Sequence, residues 1–572
     1  MAKFTTSPGV SLSEIDNTFL TGQPVQAGAA IIGPTVKGPV EKPTLVTSYS
    51  DFQMLFGDSF ISGGNAYSYL TSIAAYNYFN YGGTSLLVAR VVTESANWTS
   101  AQSTIIPNYF TSASFVLETI SEGTINNNSG SNMLGNNGVL NSGSAENVRW
   151  EVTNSNTGSG TFNVLVRRGN DTENNKVILE TWNNVNLDPN SSRYISQVIG
   201  DQKLQYNSIT NQMELSGSYP NNSKFVRVKA VNYTTPNYFD ANGIAIPAYT
   251  ASIPVNGSGS AGGSFYNAGG TVNNTINLYD KISTNTQGLV GASYNNMIAL
   301  LGNPESYQFN LLFTPGLLDD THTAQITNII TNTIARGDNM FVADLVSYGS
   351  NVSSTITQAQ TRNTSYAAAY WPWVRIIDPA TGKHVWVPAS TVVPGVYAFN
   401  DKVSAPWFAP AGINRGGLST VLQAELKLTQ GNRDNLYASN INPIATLPKQ
   451  GVVVYGQKTL QKEQSALDRV NVRRLMIELK NYIRQIANTI VFEQNTIQTR
   501  TSFLAKVNPY LEAIQQKQGL YAFKVIMDNS NNGPAIIDQN QLVGQIYVQP
   551  TRTAEFISLD FILLPTGAEF PG

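Results

Sequence analysis

The residues best suited to chemistry lie in the stretch LLDDTHT at positions 317–323. Asp319, Asp320 and His322 bring two carboxylates and an imidazole close together in sequence, a set that can bind a divalent metal or transfer protons. The alternative is structural. An apolar helical pattern begins just after the stretch, so Asp320 or Thr321 would cap that helix at the end that favours acidic groups. A metal site needs further ligands, which this composition hardly offers, and we therefore favour the capping role.

The composition narrows the possible chemistry further. The chain has no cysteine, which excludes disulfides, thiolate zinc sites and cysteine nucleophiles. Its only two histidines are His322 and His384, and the second lies in a turn without an acidic neighbour, as expected of a surface residue. No stretch assembles a nucleophile, a base and oxyanion donors. We predict a protein that is not an enzyme and that binds no metal and no other cofactor.

Two other stretches have compositions that are typical of binding sites. The run YAAAYWPWVRIID contains Tyr370, Trp371 and Trp373, whose rings could stack on bases or sugars. The run reads as a strand entering a core, and no basic cluster lies beside it, so we expect the three rings to pack. The glycine-rich run GSGSAGGSF lacks the strand-to-helix frame and the lysine of a phosphate loop, and we interpret it as a linker.

Positive charge concentrates on one predicted helix. Apolar residues recur every three or four positions between residues 465 and 490, the pattern of a long amphipathic helix. Between residues 458 and 517, basic residues are twice as numerous as acidic ones. Either the helix has a solvated charged face, or it presents a positive surface to an acidic protein partner such as a neighbouring copy of the chain. The basic residues in question are Arg469, Arg473, Arg474 and Lys480.

The overall composition describes a globular protein with weakly charged surfaces. Charged residues make up 13% of the 572 residues, against about 25% in typical soluble domains. The formal net charge of -2 gives no global attraction to nucleic acid or to anionic membranes. No apolar run reaches the roughly 18–20 residues that span a bilayer. We expect neither direct nucleic-acid binding nor membrane insertion, and the length predicts roughly three or four domains.

Changes of pattern along the chain predict an α/β (α+β) multidomain fold. Strand and helix signals before about residue 93 return after about residue 288. There, the helix TAQITNIITNTIARG lies between two strands, which predicts a right-handed parallel crossover with Ile326, Ile329, Ile330 and Ile334 on its apolar stripe. The Asn-, Ser- and Gly-rich region in between carries the short alternating runs of a β-rich insertion.

The predicted segments follow from these changes. They are an extended N-terminal arm at 1–26, the first part of an α/β domain at 27–94, an inserted β-rich domain at 95–285, the rest of the α/β domain at 286–380, a C-terminal core domain with long helices at 381–550, and a C-terminal strand or arm at 551–572.

Both ends of the chain carry patterns of extended strands. The N-terminal stretch PGVSLSEID alternates with a period of two, and so does AEFISLDFILLP near the other end. A strand that lies outside the compact segments needs another strand to pair with. The apolar residues concerned are Val10, Leu12 and Ile15 at the first end and Ile557, Leu559 and Phe561 at the second.

A series of motifs, from SPGVSLSEID near the N-terminus to VNVRRLMIELKNYIRQIANTIVFEQN near the other end, resembles that of the contractile tail sheath proteins of bacteriophages. SPGVSLSEID, IIGPTVKGPVEKPTLVTSYSDFQMLFG and YNYFNYGGTSLLVARVV are similar to the family's N-terminal motifs. The C-terminal part resembles the family more specifically, in AAAYWPWVRIIDPATGKHVWVPAS, PGVYAFND and VNVRRLMIELKNYIRQIANTIVFEQN. Two departures are VPAST, where the family has Pro-Pro-Ser, and the loss of a common Trp near YGQKTL.

The resemblance implies a structural subunit of stacked hexameric rings around a tail tube, which contract to drive the tube through the host envelope without nucleotide or metal. The implied partners are identical subunits, the tail tube protein, and the baseplate and tail terminator proteins. The implied location is the tail sheath of a virion assembled in the host cytoplasm. The arms would pair with neighbouring subunits, the insertion would protrude outward, and the basic helix would face the tube.

Three alternatives stay open beside the phage tail sheath. The first is the sheath of a bacterial contractile injection system, such as a tailocin or a type VI-like machine. The second is a surface adhesin whose β-rich insertion binds glycans. The third is a hydrolase centred on Asp319, Asp320 and His322.

Overall fold

The computed structural model describes residues 25–62, 65–92, 100–121, 146–262 and 277–556. Their buried apolar side chains form one cluster on each face of a large mixed sheet, one in the inserted domain and one among the C-terminal helices. No helix in these ranges combines the length and the apolarity that crossing a membrane requires.

The first α/β segment alternates buried strands with short helices. Ala29 and Ile31 of its first strand belong to the core on one face of the sheet, whereas Ala30 and Ile32 belong to the core on the other face. Both faces of the strand are therefore covered, as a parallel strand requires. The elements are β1 (Val25–Gly33), β2 (Thr44–Val46), α1 (Tyr49–Phe56), β3 (Phe60–Ser62), β4 (Asn65–Tyr67), α2 (Leu70–Asn80) and β5 (Leu86–Arg90).

The inserted domain is built mainly of antiparallel strands, and buried residues alternate with partly exposed ones along the strand Thr161–Arg168. Its elements are β6 (Gln102–Ser103), β7 (Phe115–Thr119), β8 (Val148–Asn156), β9 (Thr161–Arg168), β10 (Ile178–Asn186), α3 (Ile195–Ile199), β11 (Lys203–Asn207), β12 (Gln212–Ser216), β13 (Val226–Val231), α4 (Pro247–Thr250) and β14 (Gly257–Gly262). Seven of the strands form one sheet in the order β10-β9-β8-β14-β6-β7-β13. Phe115, Trp150 and Phe162 lie in its apolar core.

The glycine-rich run that the sequence analysis interprets as a linker is largely a strand, so that interpretation is wrong. Residues Gly257–Gly262 form β14, which pairs with β8 on one side and β6 on the other. The ladders on both sides satisfy its backbone, which offsets the poor strand propensity of glycine. Gly259 lies directly opposite Trp150, which is buried in the apolar core of the domain.

The chain then returns to the large sheet. The elements of this part are β15 (Asn285–Thr286), β16 (Leu289–Val290), α5 (Asn295–Leu300), β17 (Tyr307–Leu318), α6 (Thr323–Arg336), β18 (Met340–Asp344), α7 (Val352–Ala359), β19 (Ala367–Trp371), β20 (Val374–Ile377), β21 (His384–Val387), α8 (Val393–Val403), α9 (Gly412–Arg415), β22 (Val421–Ala424), α10 (Gln430–Ala438), β23 (Ile441–Leu447) and β24 (Gly451–Val454).

The large sheet is a doubly wound parallel sheet with antiparallel edges. Its strand order is β2-β5-β1-β17-β18-β19-β23-β24. The six inner strands run parallel, and only β2 and β24 run antiparallel to their neighbours. Successive connections move outward in opposite directions from β1 and from β17, so the topological switch point lies between these two strands. The mixed sheet and the crossover through α6 confirm the predicted α/β character.

Helix α6 follows its predicted apolar stripe at three of four positions. Ile326, Ile329 and Ile330 are buried, but Ile334 is 48% exposed, contrary to the prediction. Arg336 is buried instead, because its guanidinium donates to the carbonyls of Leu301 and Tyr307, each at 2.7 Å, and pairs with Asp338. The helix ends at Gly337, whose φ of +67° is a left-handed conformation that glycine adopts without strain.

The C-terminal unit consists of two long helices and a two-stranded sheet that rests on them. Leu475 and Leu479 of the first helix pack against Phe503 and Val507 of the second. The elements are α11 (Val470–Asn488), α12 (Ile497–Gln516), β25 (Leu520–Ile526), α13 (Pro534–Asp538) and β26 (Gln545–Pro550). Helix α11 confirms the long amphipathic helix that the sequence predicts.

Candidate assembly surfaces

The three residues best suited to catalysis do not form a common site. The carboxylate of Asp319 is fully buried and pairs with Arg362, whose Nε lies 3.0 Å from its Oδ2. Asp320 turns away and accepts a hydrogen bond from the backbone N–H of Ser347 at 2.8 Å. Each acidic group is therefore engaged in a different contact at the end of β17, and the described residues contain no group of three or more potential metal ligands.

His322 stabilises the same turn. Its Nδ1 accepts from the backbone N–H of Leu318 at 3.1 Å, so the other ring nitrogen carries the proton and donates to the carbonyl of Thr284 at 3.3 Å. Burial lowers the pKa of His322 below its usual value and keeps the ring neutral. The predicted cap at Asp320 or Thr321 is displaced, because helix α6 begins at Thr323 and His322 itself occupies the N-cap position without a side-chain cap bond.

The chain's own side chain fills the place where a doubly wound sheet usually binds ligands. Such ligands lie at the carboxyl ends of the strands, at the switch point and near a helix N-terminus. Here Gln287 occupies it: its Oε1 accepts from the N–H of Leu70, the first residue of α2, at 2.8 Å, and its Nε2 donates to the carbonyl of Pro315 at 3.0 Å. Gln287 is 3% exposed, so the return segment of the insertion closes this crevice.

The other candidates for binding are structural or isolated. Tyr370, Trp371 and Trp373 are at most 3% exposed, as the sequence analysis expects, and the hydroxyls of Tyr370 and Tyr397 lie 2.6 Å apart. His384 is exposed and begins β21, an edge strand of the small sheet β21-β20-β22. The three aromatic rings are buried and present no face for stacking.

The basic residues of α11 mostly point into the subunit rather than out of it. Arg474 is 5% exposed and pairs with both carboxylate oxygens of Asp401, at 2.7 and 2.6 Å. Arg473 is also 5% exposed, with its guanidinium 4.0 Å from the ring centre of Tyr366. These two arginines therefore contribute little to a positive outer surface, because intrachain partners hold them.

The positive surface that remains on α11 is smaller than the sequence suggests. Arg469, just before the helix, pairs with Asp468 and with Glu555. Lys480 is exposed, as is Arg484 four positions later on the same helix face. Within the described residues neither of these two side chains has an ion-pair partner, so they define the exposed basic face of α11.

Both outer edges of the two-stranded sheet β25–β26 are open. Its strands pair with each other from Leu520 to Pro550, and no third described strand extends the ladder. One face, with Phe523 and Val548, packs on the helices, while Tyr521 and Tyr547 are 64% and 55% exposed. Unpaired edges of this kind are templates for an added strand.

The terminal residues proposed to supply such strands lie outside the described ranges. They are Val10, Leu12 and Ile15 at the N-terminal end and Ile557, Leu559 and Phe561 at the C-terminal end.

The second half of the chain matches a known protein family. Residues 288–460 match the family model described as the phage tail sheath protein central domain, and residues 462–563 match that of the phage tail sheath C-terminal domain. The first match covers the elements from β16 to β24, and the second begins just before α11. These matches confirm the resemblance seen in the C-terminal motifs.

Two relatives support the same assignment. A tail sheath protein of Vibrio phage KVP40 is 38% identical over 233 residues, which cover 40% of this chain and 35% of that protein. The tail sheath protein of Enterobacteria phage T4 is 39% identical over 185 residues, covering 32% of this chain and 28% of that protein. The chain therefore aligns with about a third of the length of these relatives.

A solved structure extends the likeness in fold. The crystal structure of a sheath tail protein from Listeria innocua superposes with a TM-score of 0.53 over 92% of this chain and 95% of that chain, at 10% identity. The likeness concerns the fold. The second half of the chain therefore belongs to the phage tail sheath protein family, a family of structural proteins rather than enzymes.

Proposed function

We propose that the chain is a subunit of a contractile phage tail sheath, in which identical copies form stacked hexameric rings around the tail tube and contract to drive the tube through the host envelope. The observation that carries the proposal is the match of the central and C-terminal sheath domains at 288–460 and 462–563. A related contractile injection system would use the same family, but the two relatives that match in sequence come from phages. The baseplate and tail terminator proteins are further proposed partners.

The open sheet β25–β26 supports assembly through exchanged strands. Its two free edges, with exposed Tyr521 and Tyr547 beside them, could each accept one extended segment. The N-terminal strand with Val10 and Leu12 and the C-terminal strand near Leu559 are the proposed donors from neighbouring copies. In this arrangement the arms keep neighbouring subunits linked while the lattice changes length. The domains slide past one another, and the backbone pairing of the arms is retained.

The exposed basic face of α11 is the proposed contact with the tail tube. Lys480 and Arg484 replace the wider arginine cluster predicted from sequence, since Arg473 and Arg474 are held inside the subunit. The inserted domain is the part that we propose to lie on the outer side of the assembly, where a polar surface costs least. The assembled sheath would be part of the virion, formed in the host cytoplasm.

Pelleting with the purified tail tube protein tests this proposal. We expect the wild-type chain to sediment with tubes, and the Lys480→Glu/Arg484→Glu variant to lose this binding, because two attractive charges become repulsive. Binding by the wild type should also weaken at high salt. The matched control is Lys224→Glu/Lys229→Glu, which makes the same charge change on exposed residues of the inserted domain. Equal loss of binding in both variants would contradict the assigned contact, and no wild-type binding would contradict the proposed function.

A further inference from the structure

The last described residues, Thr551–Phe556, lie as an irregular strap across the body of the subunit; we refer to them as the strap. The strap starts at Thr551, whose N–H donates to the carbonyl of Gly519 at 3.2 Å and whose hydroxyl donates to that of Gln518 at 2.6 Å. Arg552, Ala554 and Phe556 are exposed, with Phe556 at 83%. The strap is thus held through alternate residues, and apolar packing contributes little to it.

Glu555 makes the most extensive of these contacts. Its Oε1 accepts from Nε of Arg469 at 2.8 Å and from Nε2 of Gln457 at 2.9 Å, and its Oε2 accepts from the hydroxyl of Tyr437 at 2.8 Å. The three donors come from three separate places: α10, the loop after β24, and the residue before α11. The Glu555 side chain is 17% exposed and that of Arg469 is 25% exposed, so the charge-assisted bonds are partly shielded from water.

The surroundings of Glu555 favour a carboxylate at this position. The ammonium group of Lys458 lies 4.7 Å from the ring centre of Tyr437, and the guanidinium of Arg469 lies 5.9 Å from it. Two cations and a phenol hydroxyl therefore converge where the strap crosses, over a cleft of about 600 Å³. Gln457 also donates to the hydroxyl of Thr553, so polar bonds attach the strap at this end, and Glu555 accepts three of them.

We infer that Glu555 is the anchor that fixes the strap on the body of the subunit, and with it the point from which the proposed C-terminal arm begins. The inference rests on the proposed function, in which this segment joins a neighbouring copy. An extended chain spans about 3.3 Å per residue, so release of the six strap residues would add about 20 Å of slack to the connection. A connection with that slack would no longer hold neighbouring copies at a defined separation, whereas an anchored strap makes the arm a short link.

The absence of cysteine allows a direct test on the full-length chain. A single Ala554→Cys substitution at an exposed strap residue gives one site for a nitroxide spin label. We expect a broad, immobilised electron paramagnetic resonance spectrum in this background and a narrow, mobile one after Glu555→Ala. Arg469→Met, which removes the partner from the other side, should give the same narrowing. The control is Glu512→Ala on the exposed face of α12, which should leave the spectrum unchanged.

The outcomes separate the anchor from the proposed function. An immobilised label in both the Glu555→Ala and Arg469→Met variants would overturn the inference, whatever the chain assembles into. A mobile label in both would support it even if the wild type formed no sheath, a result that would count against the proposed function alone. Where the wild type assembles, Glu555→Ala should yield shorter and more irregular tubes than Glu512→Ala.

Discussion

Replacing Asp171 by Asn is expected to lower the free energy of unfolding of the inserted domain by about 3–5 kcal/mol. The carboxylate is fully buried and accepts from Arg167 at 2.7 and 2.8 Å, from Arg149 at 3.2 Å and from the backbone N–H of Val177 at 2.9 Å. Arg149 and Arg167 are themselves at most 1% exposed. Neutralising Asp171 leaves two buried guanidinium groups with too little negative charge, and buried unpaired charge is costly.

Urea unfolding, followed by the fluorescence of Trp150 and Trp182 in this domain, measures the effect. Glu214→Gln in the exposed hairpin β11–β12 is the control and should change stability by less than about 0.5 kcal/mol. The remaining acids, Glu151 and Glu173, also contact Arg167, so the loss should be partial rather than complete unfolding of the domain. An unfolding midpoint equal to that of the control would show that the cluster does not stabilise the domain.

Replacing Asp344 by Asn is expected to stabilise the protein above neutral pH and to have little effect near pH 4. Asp344 is buried at the end of β18, where its Oδ1 accepts from the N–H of Ser390 at 3.0 Å. Burial raises the pKa of Asp344 from 3.8 to about 7. The folded chain therefore keeps this proton up to about pH 7, whereas the unfolded chain loses it near pH 4.

The sign of the effect follows from that difference. Between pH 4 and pH 7 the side chain of Asp344 ionises only in the unfolded state, which lowers the free energy of that state. The contribution of Asp344 to stability therefore falls as the pH rises and levels off above pH 7. Three pH units correspond to roughly 4 kcal/mol at most. Asn keeps the acceptor for Ser390 and removes the ionisation. Thermal unfolding of both proteins at pH 4, 6 and 8 measures the difference, with exposed Asp538→Asn as control. A stability difference that does not grow with pH would contradict a buried, protonated Asp344.

Elements could be predicted from the sequence where the spacing of apolar residues within one short stretch determines them. Helix α11 and the crossover through α6 follow from apolar residues at helical spacing, and the strands β1 and β17 follow from continuous buried runs. Patterns of this kind require only that the chain bury one face or both faces of an element. The α/β sheet and the β-rich insertion were predictable for the same reason, because the spacing of apolar residues changes from one to the other.

Contacts between distant residues were not predictable in this way. Arg474 reads as part of a charged surface, but its partner Asp401 lies 73 residues earlier in the chain. Arg336 is buried at a position where Ile334 would be expected, because carbonyls from two other elements accept its protons. The strand at Gly257–Gly262 depends on pairing with β8 and with β6, both of which lie far away in the sequence. In each case a partner far along the chain determines whether the residue is buried or exposed, and the spacing of residues in the sequence does not reveal that partner.

The same limit applies to the assembly surfaces. The exposed basic face of α11 and the open sheet β25–β26 became visible only when the fold placed Lys480, Arg484, Tyr521 and Tyr547 on the outside. The anchor at Glu555 has no sequence signal, since its three donors lie between 86 and 118 residues away. What the motifs supplied was the family, and with it the expectation that surfaces rather than a reaction centre carry the function.

Negative-stain electron microscopy of the purified full-length chain, beside a variant that lacks residues 1–18, tests the central claim most directly. We predict long hollow tubes from the full-length chain and dispersed particles or isolated rings from the variant, because in the proposed assembly the N-terminal arm with Val10, Leu12 and Ile15 joins one copy to the next. Tubes from both proteins would keep the sheath but contradict the proposed role of this arm. Dispersed monomers from both, even with tail tube protein added as a nucleus, would contradict the account of the chain as a sheath subunit.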